Sequence, residues 1–268
     1  MSAERGRIVG TGIDGPLPGG TANRGRVVRV GDTVHRPRGV HTRAVHALLD
    51  HLVRRGFTKA PRVVTADDRS EVLTYLEGTA ATEPLADWAL RDDAVFGVGQ
   101  LLHELHEHCA GFDSTGLVWQ RPVPVRWRGP LITHNDVNPA NVIFRAGAPA
   151  ALIDFDLAAP ASAGWDLAVT ACFWAPLRSA GDIADSRQGN VRRRFRALLD
   201  GYEAPAGLRY DAAEATVEAN AWIAAIIEDA SRRGHPAFGR LWAAQSQMYA
   251  RADAWLRRNQ LHLADAVR

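Results

Sequence analysis

Residues 133–144 read THNDVNPANVIF. His134 and Asp136 stand two apart, Asn141 follows five residues after the aspartate, and Val142-Ile143-Phe144 is an apolar run. Pro139 opposes a helix through this segment, so the pattern predicts an ordered loop that enters a strand around Val142–Phe144. Downstream, LIDFDLA at 152–158 embeds Asp154 in a second apolar run. Two strand-anchored backbones can thus be held by a core while Asp136, Asn141 and Asp154 reach a shared cleft.

Two carboxylates and an amide are hard oxygen donors of the kind magnesium accepts, with waters and substrate phosphates completing its shell. No companion set of histidines and thiolates points to zinc. The chemistry suggested is phosphoryl transfer, with one acid orienting a hydroxyl while the others hold metal. Taken singly, Asp136 and Asn141 could cap turns and Asp154 could bond within a tight loop. The conjunction of His-x-Asp-x4-Asn with a strand-embedded Asp-Phe carries more weight than any one residue.

The chain has 268 residues, 46% of them hydrophobic, enough for a large core in one domain or two packed lobes. Extended disorder is excluded. The formal charge is +2, and Lys59 is the only lysine. With no dense basic stripe interleaved with aromatics, no nucleic-acid partner is expected, and RRRFR at 192–196 reads as a solvated helix face. Cys109 and Cys172 lie in apolar segments without metal-ligand spacing and read as buried free thiols. Neither a signal peptide nor a membrane span is evident, so a cytoplasmic location is expected.

The first part alternates between strand and turn. Two short strands, at about 25–30 and 33–36, are joined by a turn at Gly31-Asp32, with another turn over PLPGGTAN at 16–23. Val40, Ala44, Val45, Leu48, Leu49 and Leu52 mark one face of a helix ending near Gly56. RSEVLTYLEG then returns to strand character up to Gly78, which divides the chain into 1–78 and 79–268. Beyond it, Val95, Val98, Leu101, Leu102, Leu105 and Cys109 define a helix from Asp92 to about Ala110. The neighbouring His103, Glu104, His106, Glu107 and His108 read as mostly surface. Further helices are expected near Trp165 and over about 190–202, 211–232 and 236–259.

HNDVNPANVIF, LIDFDLA and GWDLA together closely resemble the aminoglycoside phosphotransferase family. PGG, VVRVGDTVHRP, APRVV, LTYLEG and LLHELHEH also follow that family's order, so the resemblance covers roughly residues 17–175. It implies an α+β, protein-kinase-like bilobal fold, with a small β-rich N-lobe over a larger, mainly helical C-lobe. It also implies an ATP- and magnesium-dependent phosphotransferase acting on a hydroxyl of a small molecule, such as an aminoglycoside-like antibiotic. By the same resemblance Asp136 would be the catalytic aspartate, Asn141 and Asp154 metal ligands, and His134 a brace of the loop. Asp156 would touch a second metal or hold its loop, and Asp166 would steady the catalytic loop. Gly19, Gly20, Tyr75, Leu76, Ile143 and Ile153 would surround the nucleotide, with LTYLEG offering hinge backbone to the adenine edge.

Two departures stand out. Arg36 occupies the place of the usual strand lysine, either contacting nucleotide or facing solvent, and its fork differs in geometry from an ammonium. The following helix lacks the usual glutamate, leaving Asp50 or Glu71 as sources of the partner charge. The C-terminal helices supply Asp182, Asp185, Glu218, Glu228 and Asp229, with Trp222 and Trp242, as candidate contacts to a cationic acceptor. A catalytically silent nucleotide-binding or scaffolding module on the same fold is the competing reading.

Overall fold

The computed structural model describes residues 14–17, 25–82 and 84–266. The chain forms a small β-rich lobe and a larger, mostly helical lobe, the protein-kinase-like architecture. In the first lobe β1 (Gly15–Pro16), β2 (Val28–Val30), β3 (Thr33–Pro37), β4 (Val63–Ala66) and β5 (Ser70–Thr74) form an antiparallel sheet in the order β1-β2-β3-β5-β4. The β2–β3 turn falls at Gly31-Asp32, where Gly31 adopts φ 57°. Helix α1 (Thr42–Arg55) buries Ala44, Val45, Leu48, Leu49 and Leu52. Val40 does not share that face; it is 79% exposed because the helix begins two residues after it. Strand β5 ends at Thr74, four residues short of Gly78.

Gly78 adopts φ 137°, and a Cβ there would lie 2.4 Å from the Ile143 side chain and 2.6 Å from the Phe144 carbonyl. Chain and sheet therefore approach at a spacing only glycine permits. Immediately beyond, β6 (Thr79–Ala80) joins the sheet β6-β8-β9, pairing with β8 (Val142–Arg145), which pairs with β9 (Ala148–Leu152). A separate pair joins β7 (Leu131–Thr133) to β10 (Ala159–Ala161).

The helical lobe follows: α2 (Asp87–Leu90), α3 (Asp92–Cys109), α4 (Ala163–Trp174), α5 (Val191–Gly201), α6 (Ala206–Arg232) and α7 (Pro236–Ala266). Helix α3 is its spine, with Val95, Val98, Leu102 and Leu105 all at most 1% exposed. Each such side chain contributes about 1.5–3 kcal/mol relative to exposure. Where α3 crosses α5 the backbones nearly touch: a Cβ on Gly99 would stand 2.2 Å from the Leu198 carbonyl oxygen, and one on Gly201 1.9 Å from that of Phe96.

Two expectations need correction. Arg194, within the run read as solvated, is 1% exposed; its Nε donates to the Trp174 carbonyl (2.9 Å) and its Nη1 to Asp92 (3.2 Å). His106, read as surface, is 4% exposed, because it is turned inward toward α4. Cys109 is buried and Cys172 half-buried; both are free thiols, and burial pushes each up to about 12. Among the described residues no helix is long and apolar enough to cross a membrane.

Candidate active site

The loop between β7 and β8 is held from below by Asp166, in the first turn of α4 and fully buried. Its Oδ1 accepts the Asn135 N–H (2.8 Å), and its Oδ2 accepts the His134 N–H (2.9 Å) and His106 Nε2 (3.0 Å). His106 Nδ1 faces the Tyr202 hydroxyl at 2.8 Å, extending the network to α5's end. Burial would raise the Asp166 carboxyl, but the His106 hydrogen bond and charge hold it below the usual range. This carboxylate lets Asn135 keep φ 61°, a left-handed conformation rarely adopted by a non-glycine residue.

His134 is fully buried against Phe155, with ring centroids 4.5 Å apart. Its Nδ1 accepts the Asp136 N–H (3.3 Å) and its Nε2 faces the Ile153 carbonyl (3.1 Å). A neutral Nε2–H tautomer satisfies both, and burial lowers the ring's pKa in agreement. The Ile153 N–H in turn donates to the Asn141 carbonyl (3.0 Å), so the two sequence segments are stitched together by backbone.

Asp136 is gripped by two amides. Asn138 Nδ2 donates to its Oδ1 (2.8 Å) and Asn141 Nδ2 to its Oδ2 (2.8 Å). Burial, followed by the charge of Asp154, nevertheless pushes the Asp136 carboxyl up to about 8. Asp154 adopts φ 62°; left-handed non-glycine residues of this kind cost about 1–3 kcal/mol and concentrate at functional sites. Burial and the adjacent Asp156 raise its carboxyl, while Arg36 pulls it back. Asp136, Asn138, Asn141, Asp154 and Asp156 together line a cavity of about 490 Å³.

Arg36 does not face solvent; it is 9% exposed and ties β3 to β5 and to the 154–156 segment. Its Nε donates to Glu71 Oε1 (2.7 Å), Nη1 to Asp154 Oδ1 (3.2 Å), and Nη2 lies 2.8 Å from Asp156 Oδ1. Burial works against the guanidinium's charge, but Asp156, Asp154 and Glu71 outweigh it and raise its pKa. Glu71 is Arg36's register partner across β3–β5 and is 1% exposed. Its second oxygen takes His46 from α1, whereas Asp50 is exposed at the far side of that helix. The acid thus comes from the neighbouring strand, and the helix contributes a histidine. His41 adds a contact to Asp156 Oδ1 at 3.2 Å, and with Arg36 it holds that carboxyl below its usual range despite burial.

Hard-oxygen donors suited to magnesium therefore face one cavity, where burial and mutual repulsion make Asp136 and Asp154 hold their protons more readily than ordinary carboxyls. Among the described residues no group of three or more His, Cys, Asp or Glu is arranged to hold a metal alone. The set fits an ion completed by Asn141 Oδ1 and ligand oxygens, not one caged by protein.

Gly19 and Gly20 lie outside the described residues. Tyr75 and Leu76 are half-buried after β5, with the Arg29 guanidinium 3.6 Å above the Tyr75 ring. Ile143 is buried in β8 opposite Ala151, and Ile153 is half-buried at the exit of β9. None of these four lines the acid-bearing cavity. Asp182, Glu218, Glu228 and Asp229 are not brought together. They pair with Arg251, Arg126, Arg232 and Arg121 respectively, and none lines that cavity or the one beside it. Asp185 pairs with Arg187. Trp222 lines both cavities, while Trp242 packs on the α6–α7 side.

Sequence reasoning missed His41, His46, His106 and Asn138. His106 had a signal, lying four residues after Leu102 and three before Cys109 on the apolar face of α3. Asn138 had another, preceding Pro139 as a cap whose Oδ1 accepts the Ala140 N–H (2.9 Å).

A family model described as the phosphotransferase enzyme family matches residues 117–210. The trifolitoxin immunity protein of Rhizobium leguminosarum bv. trifolii is 34% identical over 201 residues, 69% of this chain and 72% of that protein. Among solved structures, the streptomycin–ATP–APH(2")-IIa ternary complex aligns with a TM-score of 0.55 at 17% identity, covering 79% of this chain and 83% of that one. A choline/ethanolamine kinase family protein from Mesorhizobium loti aligns with a TM-score of 0.57 at 17% identity over 94% of each chain. The GDP complex of aminoglycoside 2'-phosphotransferase-IIIa gives 0.58 at 14% identity, over 94% of this chain and 93% of that one. These structural likenesses establish the fold.

Proposed function

Since the chain belongs to the phosphotransferase enzyme family, we propose that it transfers the γ-phosphoryl group of ATP to a hydroxyl of a small-molecule acceptor in the cytoplasm. The observation that carries this reading is the convergence of Asp136, Asn141 and Asp154 on one cavity wall, from segments joined by the Ile153–Asn141 backbone bond. Asp136 would orient the acceptor hydroxyl and take its proton, its carboxylate aimed by Asn138 and Asn141. Asn141 Oδ1 and Asp154 would hold magnesium, with Asp156 nearby. The ion would supply charge neutralisation to the nucleotide phosphates. Arg36, permanently charged and fixed by Glu71, would keep Asp154 and Asp156 placed and ionised. Ile143, Ile153, Tyr75 and Leu76, at the join of the lobes near Gly78, would receive the adenine. His134, His106 and Asp166 hold the loop and move no proton.

The relative's name, an immunity protein, supports a protective role against a toxic compound. The test is a magnesium–ATP screen across antibiotics, amino alcohols, sugars and short peptides, reading ADP above the no-acceptor background and the mass of the phosphorylated product. Acceptor-dependent ADP that disappears in Asp136→Ala supports transfer. Magnesium-dependent nucleotide binding with no turnover across the panel would identify a silent module instead.

A further inference from the structure

The cavity holding Asp136 opens into a larger one of about 970 Å³; the two share Gln120, Leu157, Trp222, Ile226 and Phe238. Among the described residues, acidic side chains line this double chamber only at Asp136, Asp154 and Asp156, the residues already assigned to the metal and the hydroxyl. The rest is apolar, cationic or neutral and polar, the last including Thr82, Gln120, Asn138 and Gln245. Ile223, Ile227, Leu241 and Tyr249 form much of the inner wall, and Arg121, Arg128 and Arg233 line the outer chamber. A polyamine would find no carboxylate there to replace its lost hydration.

Arg178 is the telling residue. It follows α4, is half-buried, and lines the inner chamber together with Asp136 and Tyr249. Among the described residues its guanidinium makes one hydrogen bond, from Nε to the Asp182 carbonyl (3.1 Å), and none of its contacts is a carboxylate ion pair. Asp182 instead turns its carboxylate to Arg251, and Asp185 turns its own to Arg187. Burial, then the nearby Arg187, lower the Arg178 pKa, against smaller opposing effects of Tyr249, Asp182 and Asp185. Its fork keeps both Nη groups for an external anion.

We propose that the acceptor is an apolar, hydroxylated molecule bearing a carboxylate, bound through Arg178, and not a polycation. This rests on the phosphotransferase reading for the placement of the hydroxyl at Asp136. The carboxylate recognition itself does not. A molecule with an apolar body fills the Trp222–Phe238 passage, the carboxylate pairs with Arg178, and the hydroxyl reaches Asp136 across the same chamber.

The test is equilibrium binding to the full chain, followed by tryptophan fluorescence and confirmed by calorimetry. The probes are N-acetylated Phe-Ser, Leu-Ser and Trp-Ser dipeptides, each as free acid and as amide, with gentamicin as the polycation. Trp-Ser is read by calorimetry alone. At least one acid is expected to bind about tenfold tighter than its amide, with gentamicin weaker than both. That preference should fall to within about twofold in Arg178→Gln and return in part in Arg178→Lys, with both variants unfolding at the wild-type temperature. Gentamicin binding most tightly, acids and amides binding alike or not at all, or a preference surviving in Arg178→Gln would each overturn the proposal. A separate titration with magnesium–ADP keeps the two readings apart. Acid binding without nucleotide binding removes the kinase reading alone, and nucleotide binding without acid preference removes this one alone.

Discussion

Replacing Arg36 by methionine removes one charge from a cluster of four while keeping much of the side chain's apolar stem and volume. The Arg36–Glu71 pair, 2.7 Å apart with side chains 9% and 1% exposed, is the buried element of the cluster. Removing one member of such a pair costs about 3–5 kcal/mol, because the other charge is left in a poorly solvated place. Two features reduce that figure: Glu71 keeps His46 and Asp156 keeps His41. Asp154, 34% exposed, is partly screened by solvent and adds less than Glu71. The net expectation is a loss of about 3 kcal/mol at pH 7.5, a large part of a typical domain's stability. The pH dependence separates charge from packing. Asp156 has a depressed folded pKa, so its contribution is present above the unfolded value near 4 and fades as pH falls through the folded one. Asp154 has a folded pKa raised to about 6, which removal of Arg36 lifts further, so the variant loses additional stability as pH rises above about 6. Asp154 therefore narrows the gap between wild type and variant from pH 7.5 to 4.5, and Asp156 narrows it further only below about 4. Urea unfolding at pH 7.5 and 4.5 reads this directly. An equal loss at both pH values, or a loss under about 0.5 kcal/mol at pH 7.5, would refute the electrostatic account.

Asp136→Asn is expected to lower kcat by about 10²–10⁴ while changing magnesium–nucleotide affinity less than about threefold, as read by single-turnover kinetics and calorimetry. Asp166→Ala strands two buried backbone N–H groups and His106, and should cost about 3 kcal/mol or more in denaturant unfolding, with hydrogen exchange speeding at His134 and Asn135. Gly99→Ala places a methyl 2.2 Å from the Leu198 carbonyl and should destabilise by about 2–3 kcal/mol through separation of α3 from α5, whereas Gly207→Ala, with open space around it, should not.

The elements that pack by simple periodicity could be read from the chain: α1 and α3 from their apolar spacing, the β2–β3 hairpin from Gly31-Asp32. So could the paired segments carrying Asp136, Asn141 and Asp154, because their polar residues interrupt apolar runs at chemically suggestive intervals. What escaped depends on partners far away in sequence. Glu71 becomes the counter-charge of Arg36 only through the β3–β5 register, which no local pattern reveals. Arg194 and His106 did carry a local signal, since both fall on apolar helix faces at i+3 or i+4 spacing. Composition overrode it, because arginine runs and His/Glu-rich stretches ordinarily face water. The acids of the C-terminal helices look available for an acceptor until Arg121, Arg126 and Arg251 are found against them. Only the Glu228–Arg232 pair, four apart on one helix, was visible in advance.

We propose that Asn141 and Asp154 hold a magnesium–nucleotide beside Asp136. Calorimetric titration of ATP into wild type and Asp154→Ala, each with magnesium and with EDTA, tests it most directly. Magnesium-dependent binding in the wild type, weakened about tenfold or more in the variant and equalised by EDTA, is the predicted result. Equal affinity of the two proteins in the presence of magnesium would contradict it.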